Sequence, residues 1–227
     1  MIRVTENLRK IRDLLAKSAV EAQRDPGTVK LLAVSKKQPL ARILEAARAG
    51  QRNFGENFVQ EGLEKIEMTA SHDLVWHFIG HLQNNKTRVV AEHFDWVHTI
   101  DRLKTAERLS RQRPPELPPM NICLQVNVDG EVAKSGIAPA ALPDLVLAVR
   151  ELPQLRLRGL MSLPAIRTNP DEQRRPFRKL RELAESLSAN DAEFDTLSMG
   201  MSNDFAAAIA EGATIVRIGT AVFGPRT

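Results

Sequence analysis

Tyrosine is missing from the 227 residues altogether, tryptophan occurs twice, and aromatic side chains make up only 4% of the chain. So few rings leave little on which single-stranded nucleic acid could stack. The formal charge of +4 does not restore that reading, because the basic residues stand among acids along helical faces, as in "RRPFRKLRELAES", and a solvated surface accounts for them. No nucleic-acid partner is expected. Cysteine is scarcer still: Cys123 has no partner for a disulfide or a CxxC metal site and lies in the apolar run "NICLQVNV", where it reads as a small buried hydrophobe. Apolar runs stop well short of the roughly 18 to 20 residues of a membrane span, and the first residues lack the apolar core of a signal peptide. A cytoplasmic protein with no membrane partner is therefore expected. No His/Cys/Asp/Glu cluster has metal-ligand spacing, and there is no GxSxG motif or paired-carboxylate arrangement, so no metal and no catalytic residue of those kinds is assigned.

What the chain does have is alternation. Val4, Leu8, Ile11, Leu14, Leu15 and Ala19 follow a helical rhythm that predicts an amphipathic helix over 3–24, with Thr5 as its N-cap and Asp25-Pro26-Gly27 as its stop. Short apolar runs near 30–35, 52–55, 75–79, 95–99, 121–128, 156–161, 194–198 and 214–218 then predict strands. Between them, helical patterns lie near 39–50, 57–68, 83–92, 101–112, 139–151, 172–189 and 203–211. Eight strands alternating with helices is the pattern of a (β/α)8 TIM barrel, here with an extra N-terminal helix. An open doubly wound sheet fits less well, because no GxGxxG follows the first strand. The breaker-rich stretches "RQRPPELPP" and "LPAIRTNPDEQRRP" fall in connections and nothing resembles a domain linker, so residues 1–227 read as one domain.

In such a barrel the chemistry is assembled on the loops that follow the strands. The first strand runs "LLAVSKKQP" and ends on two lysines. Period-2 geometry puts Leu32, Val34 and Lys36 on one face and Leu31, Ala33 and Lys37 on the other. Barrel interiors favour bulky aliphatics, which makes Lys36 the inward candidate. The loops after strands seven and eight, "SMGMSND" and "RIGTAVFG", carry glycines and hydroxyls where barrels often bind phosphate, and Ser202 or Asn203 is expected to cap the following helix. A lysine desolvated in an apolar mouth becomes a nucleophilic amine able to form a Schiff base. The ring aldehyde that also carries a phosphate is pyridoxal 5′-phosphate (PLP). His81, in "IGHLQNNK", reads first as a loop histidine, and Lys134, in "EVAKSG", as a solvated lysine with a second phosphate contact as the sharper alternative.

"LLAVSK", "NFGENFVQE", "WHFIGHLQNNK", "RGLMSLPA", "LSMGMSNDF" and "VRIGTAVFG" together resemble the pyridoxal-phosphate homeostasis protein family, single-barrel proteins similar to the N-terminal domain of alanine racemases. The resemblance runs over about residues 5 to 226. It implies Lys36 as the internal aldimine, Ser202 with the Gly219-Thr220 turn as the phosphate cup, Arg217 as the partner of the pyridine nitrogen, and Asn57 near the ring. It further implies a monomer that stores and protects the cofactor and hands it to PLP-dependent apo-enzymes.

The competing reading is a PLP-dependent amino-acid racemase. Racemases similar to this barrel use a tyrosine from a C-terminal domain as a second base; this sequence has no tyrosine and ends at Thr227, directly after the barrel, so turnover is not expected. An arginine opposite the ring nitrogen also disfavours ring protonation and weakens the electron sink. A Schiff-base aldolase without cofactor needs only the lysine and the barrel, and leaves Arg217 without a task.

Overall fold

The computed structural model describes residues 4–131, 134–188 and 191–225. Its first element, α1 (Val4–Glu21), buries Val4, Leu8, Ile11, Leu15 and Ala19. Steps of three and four residues place these five on a single stripe. Thr5 lies inside this helix rather than capping it, and its N–H donates to Glu45 Oε1 at 3.2 Å. Asp25 instead caps the short 3-10 turn that follows, accepting from Gly27 N at 2.9 Å.

From there strand and helix alternate: β1 (Lys30–Val34), α2 (Leu40–Arg48), β2 (Asn53–Glu56), α3 (Val59–Met68), β3 (Val75–Phe78), α4 (Thr87–His93), β4 (Trp96–Ile100) and α5 (Leu103–Gln112). The second half continues with β5 (Met120–Gln125), α6 (Leu142–Arg150), β6 (Leu155–Met161), α7 (Pro170–Ser188), β7 (Thr196–Ser198), α8 (Phe205–Ala210), β8 (Ile215–Ile218) and α9 (Thr220–Phe223). The strands are parallel, neighbour their sequence neighbours, and close β8 onto β1 with Leu32 beside Arg217 and Ala33 beside Ile218. The (β/α)8 expectation and its extra N-terminal helix are met.

Some boundaries differ from expectation. The predicted fifth strand is cut short at Gln125 because Val126 pairs instead with Ile137 in an isolated bridge. The last helix, α9, was not foreseen, since four residues carry too little periodicity to read. Helices as short as α8 and α9 are marginal alone and need tertiary packing. The apolar stripe of α1 supplies it: α1 packs on both, and Asn7 Nδ2 donates to Val222 O at 3.0 Å. The N-terminal helix thus braces the two elements that begin at the strand-seven and strand-eight loops.

The strands separate two environments. Leu31 and Ala33 belong to the large core between sheet and helices, as do Phe54, Phe78 and Ile122. Leu32 faces the other way: the ideal Cβ direction at Gly55 meets Leu32 Cδ2 at 3.3 Å across the interior. That interior also holds a small apolar cluster of Trp96, Cys123 and Met161, beside the polar side chains of His77, His98, Ser198 and Arg217. Cys123 is fully buried, as expected, and burial pushes its thiol up to about 12.

Candidate functional site

β1 stops at Val34, so Lys36 sits in the turn beyond the strand rather than on its last pleat. Lys36 is half-buried, while Lys37 is exposed with φ at 56°. Parity no longer applies there, and what separates the two lysines is that Lys36 is half-buried and Lys37 exposed. The turn is fastened on two sides. Ser35 N donates to Gly55 O at 3.0 Å, and Gln38 N closes the turn onto Ser35 O at 3.1 Å. Arg42 Nη1 then bridges Gln38 Oε1 at 2.7 Å and Phe223 O at 2.9 Å, tying this loop to the end of α9.

Arg217 is only 4% exposed and lies one pleat from the end of β8. It donates from Nη2 to Ser162 O at 2.9 Å and from Nη1 to Ser198 Oγ at 2.8 Å. A chain of hydrogen bonds continues from there through the barrel: Ser198 Oγ to His98 Nδ1 at 2.8 Å, His98 Nε2 to His77 Nδ1 at 2.9 Å, and His77 Nε2 to Asn53 Oδ1 at 3.0 Å. A guanidinium only donates and a carbonyl oxygen only accepts. With both imidazoles neutral, the Asn53 carbonyl oxygen sets a single direction: His77 donates to Asn53, His98 to His77, and Ser198 to His98, so each ring carries its proton on Nε2. Burial agrees, holding His77 down at about 3, with the charge of Lys30 as a lesser cause, and His98 well below its ordinary value. Burial also lowers Arg217, to about 10, against the pull of Asp204, which leaves it protonated at neutral pH. His77 stacks on Trp96 with ring centroids 5.3 Å apart, which fixes the imidazole plane.

Gly219 abuts the end of the first strand: a Cβ there would stand 3.2 Å from Val34 O, so the close approach of the two strand ends favours glycine. Thr220 opens α9 and is exposed. Arg217 N donates to Gly200 O at 3.0 Å and so binds the strand-seven loop to β8. Ser202 is exposed in that loop, but neither it nor Asn203 caps α8. The cap position belongs to Asp204, whose Oδ1 turns back to accept from Met201 N at 2.6 Å. That bond lies on the loop side, so α8 takes no side-chain capping hydrogen bond, and the cap expected from Ser202 or Asn203 does not form.

Asn57 follows β2 and is half-buried, and its backbone is pressed against Gly80, where a Cβ would lie 2.0 Å from Asn57 O. Its Oδ1 and the hydroxyl of Ser162 are buried without a hydrogen-bond partner. Such groups cost free energy unless something bonds to them. Both sit just beyond a strand end, on the same rim as Lys36 and Arg217, so the rim suits a compact polar ligand. His81 is exposed and lines a surface cleft with Asn57, Phe58 and Lys86. Lys134 is paired with Glu131 at 2.9 Å and lies 3.9 Å from Asp129. Among the described residues no group of three or more His, Cys, Asp or Glu side chains could hold a metal ion, and no helix is long and apolar enough to cross a membrane.

A parallel barrel with an amine after its first strand and a buried arginine on its last defines a class that comparison identifies. A family model described as alanine racemase, N-terminal domain, matches residues 3–227. The pyridoxal phosphate homeostasis proteins of Pseudomonas aeruginosa and Escherichia coli K12 are 56% and 51% identical to this chain, covering 100% and 98% of it and 97% of each relative. The structure of PipY from Synechococcus elongatus with PLP bound superposes with a TM-score of 0.85 at 39% identity, over 97% of this chain and 100% of that one. The chain belongs to the pyridoxal phosphate homeostasis protein family, within the wider group of alanine racemase N-terminal domains.

The sequence reading missed the interior chain of Asn53, His77, His98 and Ser198, although a signal existed. On β3 and β4 the histidines occupy alternate positions with Trp96, on the same parity that puts Asn53, Ser198 and Arg217 inside.

Proposed function

We propose that this chain binds PLP at the C-terminal mouth of the barrel and serves its homeostasis in the cytoplasm, as a monomer that stores and protects the cofactor and delivers it to PLP-dependent apo-enzymes. The observation that carries this reading is the PLP-bound relative, 39% identical over nearly the whole chain, combined with a rim whose residues fit the group. Lys36 supplies the amine, Ser202, Gly219 and Thr220 hold the phosphate, Asn57 lies beside the ring, and Arg217 meets the ring nitrogen. When bound, PLP supplies an aldehyde that condenses with a primary amine, releasing the aldehyde oxygen as water. Around it the protein's own groups do the positioning. The hydrogen-bond chain behind Arg217 fixes the guanidinium, and its charge raises the cost of placing a second proton on the ring nitrogen. A ring kept unprotonated is a poor electron sink, which favours holding the cofactor over turning over amino acids.

Borohydride reduction of the purified protein followed by peptide mapping tests the assignment. The pyridoxyl group is expected on Lys36; a label found mainly on Lys37 or Lys134 overturns it. A racemase reading shares the barrel and the family model, but it requires a second base, and no tyrosine is present among the 227 residues to serve as one.

A further inference from the structure

Directly behind the Lys36 turn lies a buried ionic cluster that the reading above does not use. Lys65, on α3, has a side chain 8% exposed, and Glu56, at the end of β2, is fully buried. The ammonium of Lys65 donates to Ser35 O at 2.7 Å, Glu56 Oε1 at 2.7 Å and Glu61 Oε1 at 2.6 Å. All three of its protons are thereby engaged, so Lys65 is a fixed cation rather than a competing nucleophile. Ser35 Oγ donates to the same Glu56 oxygen at 2.6 Å, and Lys37 N donates to the same Glu61 oxygen at 2.5 Å. Of the five bonds, three end on Ser35 or Lys37, the residues immediately before and after Lys36.

We propose that Lys65, through Glu56 and Glu61, is a positioning residue for Lys36: it clamps the backbone on both sides of that amine and so sets where the amine stands. The proposal rests on the Lys36 reading given above. Two arguments separate it from a plain core brace. A buried ion pair is weak evidence for stability, since a well-packed apolar replacement is often as good, so what it supplies is specificity of arrangement. Here the backbone it specifies is this turn. Lys37 also adopts a left-handed φ of 56°, uncommon for a residue with a Cβ, and the Glu61 carboxylate accepts from its N–H.

The test compares PLP with pyridoxine 5′-phosphate, which carries an alcohol in place of the aldehyde and cannot condense with an amine. Full-length wild type, Glu61→Ala and the double variant Glu56→Gln/Lys65→Met are measured, the double variant because removing one partner alone strands a buried charge. In both variants PLP affinity should fall about tenfold, the equivalent of about 1.4 kcal/mol, while the affinity for pyridoxine 5′-phosphate changes by less than about twofold. In ligand-free protein, amide hydrogen exchange across residues 34–38 should quicken. Equal losses for the two ligands, or undiminished PLP affinity with a turn as protected as in wild type, overturn the proposal. Glu61 is 27% exposed, so Glu61→Ala decides the matter even where the double variant fails to fold. A wild type that binds both ligands equally and traps no label on Lys36 refutes the Lys36 reading itself; a wild-type preference that persists unchanged in the variants refutes only the role of Lys65.

Discussion

Acidification to pH 5 should cost the fold about 2 kcal/mol through His77, a cost that His77→Gln should remove. Burial first, and the charge of Lys30 second, depress His77 from 6.5 to about 3. The folded state therefore resists the proton while the unfolded chain accepts it below about pH 6.5. The stability this group contributes is fully present above that value and is lost as pH falls toward 3. Each unit is worth about 1.4 kcal/mol, so pH 5, roughly 1.5 units down, costs about 2 kcal/mol. His98 shifts in the same direction and adds a loss of its own, common to wild type and variant, so the difference between them is the roughly 2 kcal/mol of His77. For a protein of this size that corresponds to roughly 4 to 8 °C in Tm. Thermal melts of wild type and His77→Gln at pH 7 and pH 5 measure it, because the titration of carboxylates elsewhere is common to both and cancels in the difference. The variant starts lower but should lose several degrees less. Equal losses in the two proteins would refute the neutral, Nε2-protonated assignment of the interior chain.

With the proposed phosphate cup, pyridoxal should bind much more weakly than PLP, and Ser202→Asp should weaken PLP binding by more than about tenfold through repulsion of the dianion, measured by equilibrium titration. Circular dichroism should show that variant folded, because Asp204 and not Ser202 occupies the cap position of α8. Incubation with single enantiomers of alanine in deuterated water should give negligible α-deuterium, whereas rapid exchange with inversion would contradict the binding role. Glu211→Ala should destabilise the protein by about 1 to 3 kcal/mol in chemical denaturation: the carboxylate is 1% exposed and anchors Arg174, Arg178 and Arg181 of α7, though these partners are 34% to 52% exposed, which tempers the loss.

The barrel was legible because strand and helix periods alternate clearly, whereas strand parity stops at Val34 and does not reach Lys36, which lies in the turn beyond. A cap by Ser202 or Asn203 was expected because the sequence offers three polar residues in a row, whereas α8 begins after Asp204 and takes no side-chain cap, Asp204 accepting from Met201 N in the loop instead. The interior chain was harder still, since "VWHF" and "WVHTI" look like ordinary strands and the meaning of their histidines depends on which residues of β2, β7 and β8 stand opposite. Glu61 and Lys65 could be read as an i,i+4 pair. That the pair is buried under the Lys36 turn follows only from the packing of α3 against the ends of β1 and β2.

The barrel closes by joining its first strand to its last, and the proposed site straddles that seam: Lys36 follows β1, while Gly219 and Thr220 follow β8, with Gly219 against Val34. A chain leaves the ribosome from its N-terminus, so the amine emerges well before the residues that would hold the phosphate. At about 5 to 20 residues per second the interval is roughly 10 to 40 s. If the site is as proposed, a chain stalled before β8 would hold the amine without the residues that grip the phosphate. On the proposed reading, then, tight capture of the cofactor would wait for the finished ring.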